Sequence, residues 1–341
     1  MRMMIVGSDK VYAIENFYVK YLREAGVTTE LFRAQSLFVE YYHQNIVNKL
    51  VYRAGLSGII RHINKLFRQA VQDFKPDTIW VFKGMEIFPS SLEWAKRAGI
   101  VLVNYNPDNP FLFTGKGSGN KNITQSIPIY DLHFTYNQDV QNKLKEVYQA
   151  RTAYLPFGFE LSERLYSECA SQKENVKACF LGNPDHQRAA FILSLAEQGI
   201  TMDIYGNDWQ KFVNHSNLNI HPPVLGDEVW KVLRRYRIQL NLMRVHNEDS
   251  HNMRSFEVPG VGGIMLAPDT TEHRQFFEDG KEVFLFRNLA EAVEKTRWLI
   301  SRDQEEALTI RLNARTKSLR AGYSYKDRAN TALQTIKLLR A

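Results

Sequence analysis

The sequence predicts an α/β protein made of two Rossmann-like domains. Three observations carry this. The chain has 341 residues, too many for one ordinary domain and suited to two of about 150 each. Short apolar runs alternate with helical patterns nearly throughout. The alternation pauses at a polar stretch, Glu160 to Lys177, and then restarts. Strand–helix–strand repetition implies parallel sheets with right-handed crossovers. The domain boundary is therefore expected near 160/161, with the second domain running to about 324.

Taken in order, MMIVG (3–7) reads as a buried first strand. Ile14, Phe17, Tyr18, Tyr21, Leu22 and Ala25 follow at helical spacing. TTELF (28–32) is the next strand. Residues 40–73 read as helical and stop at Lys75-Pro76-Asp77. TIWVF (78–82), a helix from Pro89 to Ala98, IVLVNYN (100–106), DLHFTY (131–136), a helix at 138–148 and TAYLPF (152–157) complete the first half. The second half opens with KACFLG (177–182) and a helix at 186–198. MDIYG (202–206), a helix at 227–236, IQLNLM (238–243), a helix at 252–260, GIMLAP (263–268) and EVFLF (282–286) follow. Helices at 289–300, 304–320 and about 325–340 close the chain.

Composition narrows the function classes. Hydrophobic residues make up 44% and charged residues 24%, a normal globular balance. No apolar run is long enough to span a bilayer. Cys169 and Cys179 form neither a disulfide framework nor a metal-binding spacing, so a reducing cytoplasm is expected. The net charge of +7 is uneven. Residues 1–160 carry 19 Lys+Arg against 14 Asp+Glu, residues 161–301 carry 16 against 19, and residues 302–341 carry 9 against 4. Basic ends of this kind attract an anionic lipid surface, an acidic glycan or nucleic acid, although a solvated surface gives the same count.

In a doubly wound sheet the ligand lies beyond the carboxyl ends of the strands, so the loops after strands are the informative segments. The richest is His246 to Glu257, which leaves the strand IQLNLM and enters a short helix. A helix start offers free N–H groups to a diphosphate. Arg254 adds a bidentate phosphate contact. The Glu257 carboxylate accepts ribose hydroxyls, and Gly262 and Gly263 are expected to let backbone approach the ligand.

The run N-x-R-x-F-E-x-P-x-x-G-G-x-M-L, Asn252 to Leu266, resembles the signature of the CgeB-like (spore maturation protein) glycosyltransferases. Phe277-x-x-Gly280-Lys281-Glu282 is similar to that family's F-x-x-G-K-E. Tyr323-Ser324-Tyr325-x-x-Arg328 is similar to its closing H-T-Y-x-x-R, with Tyr-Ser-Tyr as a departure. The segment 181–200 resembles the opening of its second domain. Over residues 1–150 the likeness is weak, limited to PDN (107–109), with LPFGF (155–159) just beyond. The resemblance implies a GT-B fold, with two Rossmann-like domains facing each other across a cleft and the C-terminal helix (about 325–341) returning to the first. It also implies glycosyl transfer from a nucleotide sugar held by residues 161–324, with the acceptor on residues 1–160. Many such enzymes carry a Glu-x7-Glu pair, and Asp249 and Glu257 stand at that spacing.

The remaining donor-site candidates follow the other strands. Gly182 permits phosphate approach, and Arg188 either reaches a phosphate or braces its loop. Gly206 precedes Trp209, which either packs on the donor base or anchors the core. The donor site is thus expected to include Gly182, Arg188, Gly206, Trp209, His246, Asp249, Asn252, Arg254, Glu257, Gly262 and Gly263. In the first half, Asn104 to Pro110 follows a buried strand, and Asp108 is the candidate base for the acceptor hydroxyl, with turn chemistry as its plain alternative. His43 and His133 are rivals. Gly115 to Lys121 has the composition of a phosphate loop but lacks the G-x4-G-K-[ST] spacing. It is expected to line the acceptor side without ATP. His246, Asp249 and His251 are close together, yet they lie in a loop and no D-x-D is present, so no metal and no cofactor is expected.

The expected function is transfer from a nucleotide-sugar donor to a glycan or lipid-linked acceptor. Arg254, Arg188 and the helix start near Asn252 would stabilise the leaving diphosphate. The protein is expected to be cytoplasmic, with peripheral contact at a membrane's inner face. The rivals are a nucleotide-sugar epimerase or hydrolase on the same fold, and a non-catalytic polyanion-binding protein. Nucleic acid is not an expected partner, because no RNP, KH or zinc-finger pattern occurs.

Overall fold

The computed structural model describes residues 1–113, 118–244 and 249–340. It divides into two compact α/β units, one of Met1–Pro156 plus the chain from Tyr325, the other of Phe157–Ser324.

Unit 1 contains β1 (Arg2–Val6), α1 (Ile14–Glu24), β2 (Thr28–Phe32), α2 (Ala34–Gln44), α3 (Ile46–Arg53) and α4 (Ile59–Phe74). Next come β3 (Thr78–Phe82), α5 (Pro89–Arg97), β4 (Val101–Asn106), α6 (Lys121–Ser126), β5 (Leu132–Thr135), α7 (Gln138–Tyr148) and β6 (Thr152–Tyr154). Its six strands are parallel in the order β2-β1-β3-β4-β5-β6. Met4, Val6, Ile79, Val81 and Leu102 are buried with Phe67, Val71 and Leu92 from α4 and α5. The C-terminal helix α15 (Tyr325–Arg340) belongs to this unit. Tyr325 lies 5.0 Å from Phe17 and 5.8 Å from Tyr18, and Tyr18 lies 4.8 Å from Trp80. These rings bury α1 and α15 together, and aromatic pairs at such spacings add to area burial.

Unit 2 contains α8 (Glu163–Ala170), β7 (Asn175–Leu181), α9 (His186–Glu197), β8 (Met202–Tyr205), β9 (Leu218–His221), α10 (Asp227–Arg235) and β10 (Tyr236–Leu240). Then follow α11 (Arg254–Gly260), β11 (Met265–Pro268), α12 (Thr271–Phe276), β12 (Phe284–Phe286), α13 (Leu289–Ser301) and α14 (Gln304–Arg320). Its parallel sheet has the order β12-β11-β10-β7-β8-β9. Ile204, Ile238, Ile264, Leu266 and Phe284 form its core with Ile192 and Leu299 from α9 and α13.

Several elements differ from expectation. The stretch 40–73 is not one helical run, because Asn45 is extended and caps α3 through a 2.8 Å bond from the Asn48 N–H. Residues 54–58, with Gly55 at φ 75°, then separate α3 from α4. The expected linker at 160–177 holds α8, capped by Ser162, and the start of β7. β9, α6 and α12 have no counterpart in the sequence reading. Asn120 caps α6 and Thr270 caps α12, each satisfying an otherwise unpaired N–H of the first turn. Both cysteines are free and buried.

Candidate functional site

In unit 2 the strand order reverses between β7 and β10. From β7 the chain steps outward to β8 and β9, whereas β10 leads to β11 and β12 on the other side. The crevice beyond the carboxyl ends of these two strands is where doubly wound sheets bind ligands. Arg188, on α9, spans this point. Its Nη2 donates to the Leu242 carbonyl at 2.7 Å, after β10, and its Nη1 to the Asn183 carbonyl at 3.2 Å, after β7. Burial pushes its pKa down to about 10, so it stays charged at neutral pH. Arg188 braces the two loops and brings a positive charge to their junction.

α11 starts beside the same crevice. Asn252 donates through Nδ2 to Asn241 Oδ1 at 2.8 Å, and its backbone N–H donates to Ser255 Oγ at 3.2 Å. Ser255 Oγ lies 2.8 Å from His273 Nε2, and His273 Nδ1 lies 2.9 Å from the Pro268 carbonyl. A carbonyl only accepts, so Nδ1 carries the proton and Nε2 accepts from the serine. Burial agrees, since it pushes the His273 pKa down to about 4. This neutral network ties β10, β11, α11 and α12 into one frame. The Arg254 guanidinium, partly exposed, pairs with the buried Glu257 carboxylate one turn later. Among the described residues the buried Arg254 Nε has no hydrogen-bond partner.

Two arginines of α14 hold the far end of α11. Arg315 Nη1 donates to the Gly260 carbonyl at 2.6 Å and Nη2 to Glu163 at 2.7 Å. Arg311 Nη1 donates to the Gly262 carbonyl at 3.0 Å, and its Nη2 pairs with Glu174 at 2.6 Å. These bonds satisfy carbonyls that a short helix leaves open. Rings complete the setting. Phe256 lies 5.0 Å from Phe276 and 5.2 Å from both Tyr323 and His251. His251 Nε2 accepts the Phe157 N–H at 3.3 Å, so its Nδ1 is the donor to Glu272, 2.5 Å away. Phe256, Phe277 and Tyr323, all within the motif-like runs, therefore pack α11 in place.

Other expected donor-site residues have a different place. Trp209 is fully buried, edge-on to Phe180 at 5.5 Å, and donates to the Gly182 carbonyl at 2.8 Å. It is a core anchor, and no face is open to a base. Gly206 has no room for a Cβ, which would stand 2.2 Å from the Gly182 carbonyl oxygen. The glycines Gly182 and Gly206 thus serve the approach of two loops to one another. Gly262, at φ 70°, and Gly263, whose Cβ would stand 2.7 Å from the Leu233 carbonyl oxygen, are likewise packed against protein. The close approach expected of them is to backbone, not ligand. Asp249 accepts the Thr271 N–H at 2.8 Å and its hydroxyl at 2.9 Å, pinning the loop to the start of α12. His246 lies outside the described residues. Of the expected set, the structure brings together Arg188, Asn252, Arg254 and Glu257.

In unit 1 the corresponding reversal lies between β1 and β3. Asp108 Oδ2 pairs with Lys83 Nζ at 2.7 Å, just beyond β3 and β4. Close by is a residue the sequence reading missed. Glu86 is buried, and burial raises its carboxyl pKa to about 7, with Lys83 lowering it and Glu15 raising it. Glu15, also raised by burial, accepts the Ser8 N–H at 2.9 Å. Gly7 is required there, because a Cβ would meet Glu15. The signal for Glu86 was its place in a loop after a buried strand. His133 is a core residue, its Nε2 on the Ile127 carbonyl at 2.9 Å and its pKa pushed down to about 4 by burial, so it is no rival base. His43, by contrast, is exposed. It lines a groove of about 850 Å³ together with Phe38, Tyr42, Tyr52, Arg53 and Lys121. Of the glycine-rich run, 115–117 lie outside the described residues, while Asn120 donates to the Met85 carbonyl at 2.9 Å.

The geometry can be set beside known proteins. Residues 187–334 match the family described as glycosyl transferase-like, a stretch that includes α11 and α14. No curated protein matches the chain by sequence. Among solved structures, sucrose-phosphate synthase from Thermosynechococcus elongatus is similar over 99% of both chains, at 10% identity and a TM-score of 0.69. Anabaena HepE in complex with UDP-glucose is similar over 99% of both, at 14% identity and 0.65. UDP-GlcNAc 2-epimerase from Neisseria meningitidis bound to UDP-GlcNAc is similar over 98% of this chain and 99% of that one, at 14% identity and 0.57. The chain therefore has the fold these proteins share, two parallel α/β units of the GT-B type.

Proposed function

We propose that this chain is a GT-B glycosyltransferase of the CgeB-like branch, which moves a sugar from a nucleotide-sugar donor to an acceptor hydroxyl. The observation that carries the proposal is the Arg254–Glu257 pair, fixed at the strand-order reversal of unit 2 by the Asn252–Ser255–His273 network. Arg254 binds the diphosphate and Glu257 the ribose hydroxyls, which are the complementary chemistries of guanidinium and carboxylate. The glycosyl transferase-like match spans both residues, and UDP-glucose is the ligand named for HepE. Arg188 adds positive charge beside the leaving diphosphate. Charge stabilisation of this kind serves the transition state without a metal ion, so activity is expected to survive EDTA. Loss with EDTA and rescue by Mn²⁺ would refute the metal-free part.

Unit 1 takes the acceptor in this reading. Its groove combines aromatic rings with Arg53 and Lys121, which suits an anionic glycan or lipid-linked acceptor at the inner face of a membrane. Asp108, held by Lys83, takes the hydroxyl proton. A thermal-shift panel of UDP-, GDP-, CMP- and dTDP-sugars tests the core of the proposal, since a ligand of the native state raises apparent stability. A second reading, epimerase or hydrolase, draws support from the likeness to the Neisseria epimerase. It requires turnover of donor with no acceptor present, and a donor-only assay decides between the two.

A further inference from the structure

The hairpin of α2 and α3 carries an unusual combination of features. Helix α3 has no buried residue. Ile46, Val47 and Leu50 are 72%, 60% and 58% exposed, and Leu56 just beyond is 79% exposed. At 100° per residue Ile46, Val47 and Leu50 fall on one stripe, with Lys49 and Arg53 along its edge. Exposed single apolar residues are ordinary, but a cluster on one helix face marks an interaction surface.

The opposite side of α3 is firmly held. Tyr52 packs 4.8 Å from Phe38 and 5.8 Å from Tyr42. Arg53 Nε donates to the Tyr42 hydroxyl at 3.2 Å, and Asn48 Nδ2 donates to the Tyr41 carbonyl at 2.9 Å. The outer stripe is therefore presented by a fixed helix. The charge along this stretch of chain has one sign. From Tyr41 to Gln72 there is no Asp or Glu, while Lys49, Arg53, Arg61, Lys65 and Arg68 all fall within that span. Lysine and arginine stems can cover apolar surface while their charge stays in water.

We propose that α3 is a membrane-docking helix, inserting Ile46, Val47, Leu50 and Leu56 into an anionic bilayer while Lys49, Arg53 and their neighbours meet the lipid headgroups. The charge complementarity favours an anionic lipid surface over a neutral one or a second, equally basic copy of this unit. No helix among the described residues is long and apolar enough to cross a membrane, so the contact is peripheral. The proposal assigns a surface to the membrane contact put forward above, and it does not depend on the donor chemistry.

Flotation of the full chain with vesicles tests it. Vesicles of phosphatidylcholine mixed with phosphatidylglycerol should carry the protein, and pure phosphatidylcholine vesicles should not. The double variant Ile46→Glu/Leu50→Glu should bind the mixed vesicles at least about tenfold more weakly, and Lys49→Gln should bind them more weakly than the parent, with less dependence on salt. Thermal melting and UDP-sugar affinity of both variants should match the parent, which separates this result from the fate of the donor site. The proposal is overturned if the parent fails to float with anionic vesicles, or if the double variant floats equally well. It is also overturned if light scattering shows a dimer that the same substitutions split.

Discussion

At the scale of single residues, the ion pair on α11 is where the proposed donor chemistry rests. Without ligand, Arg254 and Glu257 neutralise one another on a buried helix face. In the proposed function, a nucleotide diphosphate would offer Arg254 a stronger anion and free Glu257 to accept hydroxyls. Arg254→Ala and Glu257→Ala should each weaken UDP-sugar binding by about 1.5–3 kcal/mol, the usual worth of a charged hydrogen bond, without unfolding the protein. Calorimetry giving unchanged affinity in both would remove the assignment. These two residues were legible because a strand, a polar loop and a charged helix start appear together in the sequence. Trp209 was not, because sequence spacing does not tell which way a ring turns after a strand. A second residue-scale prediction concerns pH. Burial holds His133 and His273 neutral, with pKa values pushed down from 6.5 to about 4. Between those values the unfolded chain binds protons that the folded chain does not, so each contribution is whole above pH 6.5 and falls as pH drops towards 4. Glu86 acts oppositely, since its raised pKa of about 7 favours the folded state as it takes up a proton below that value. The variant His133→Gln isolates one term. The stability difference between parent and variant should shrink by up to about 3 kcal/mol from pH 7 to pH 4. Denaturant unfolding that shows a pH-independent difference would refute it.

At the scale of elements, α11 is too short to hold itself. Its seven residues end at Pro259-Gly260, and Arg311 and Arg315 of α14 bind the carbonyls just there. The two arginines stand four residues apart and so share a helix face, a spacing visible in the sequence but equally that of a solvated surface. Their burial depends on a chain fold that brings together residues 49 and 55 positions apart, which no local pattern reveals. Arg315→Met keeps much of the packing volume but removes the bonds to Gly260 and Glu163. It should cost about 1.5–3 kcal/mol of stability, raise the donor KM more than it lowers kcat, and be partly rescued by Arg315→Lys. An equal donor KM would leave Arg315 with a purely structural role. The long apolar strands were plain from sequence, since both faces of a parallel sheet are covered and the runs are continuous. β9, by contrast, has four residues at the sheet edge, only one of them buried, and gave no such run. The helices α6, α8 and α12 are short and are announced chiefly by their caps, Asn120, Ser162 and Thr270. The break between α3 and α4 was written in Gly55, Ser57 and Gly58, but the surrounding helical periodicity obscured it.

For the whole molecule, charge is the property that unites unit 1 with the end of the chain. α14 belongs to unit 2, so its arginines must be moved from the basic C-terminal block counted along the sequence. Even so the contrast holds. Unit 1 carries 23 Lys+Arg against 14 Asp+Glu, a net of +9, and unit 2 carries 21 against 23, a net of −2. The moved arginines are largely spent inside unit 2, on Glu163, Glu174 and backbone carbonyls. Those of unit 1 include exposed side chains such as Arg53, Arg61 and Lys65, and Arg53 and Lys121 line its groove. A field of one sign raises the local concentration of anionic ligands and speeds their encounter. An anionic acceptor would therefore be captured by unit 1 electrostatically, whereas the proposed donor binding on a nearly neutral unit would rest on short contacts at Arg254 and Arg188. Salt separates the two, because the Debye length falls from about 10 Å at 0.1 M to about 3 Å at 1 M. Contacts at hydrogen-bond distance survive that change far better than attraction across a surface. Across this range the acceptor KM should climb steeply while the nucleotide-sugar KM changes little. A flat acceptor KM, or a neutral acceptor used as well as an anionic one, would mean that the charge of unit 1 serves solubility alone.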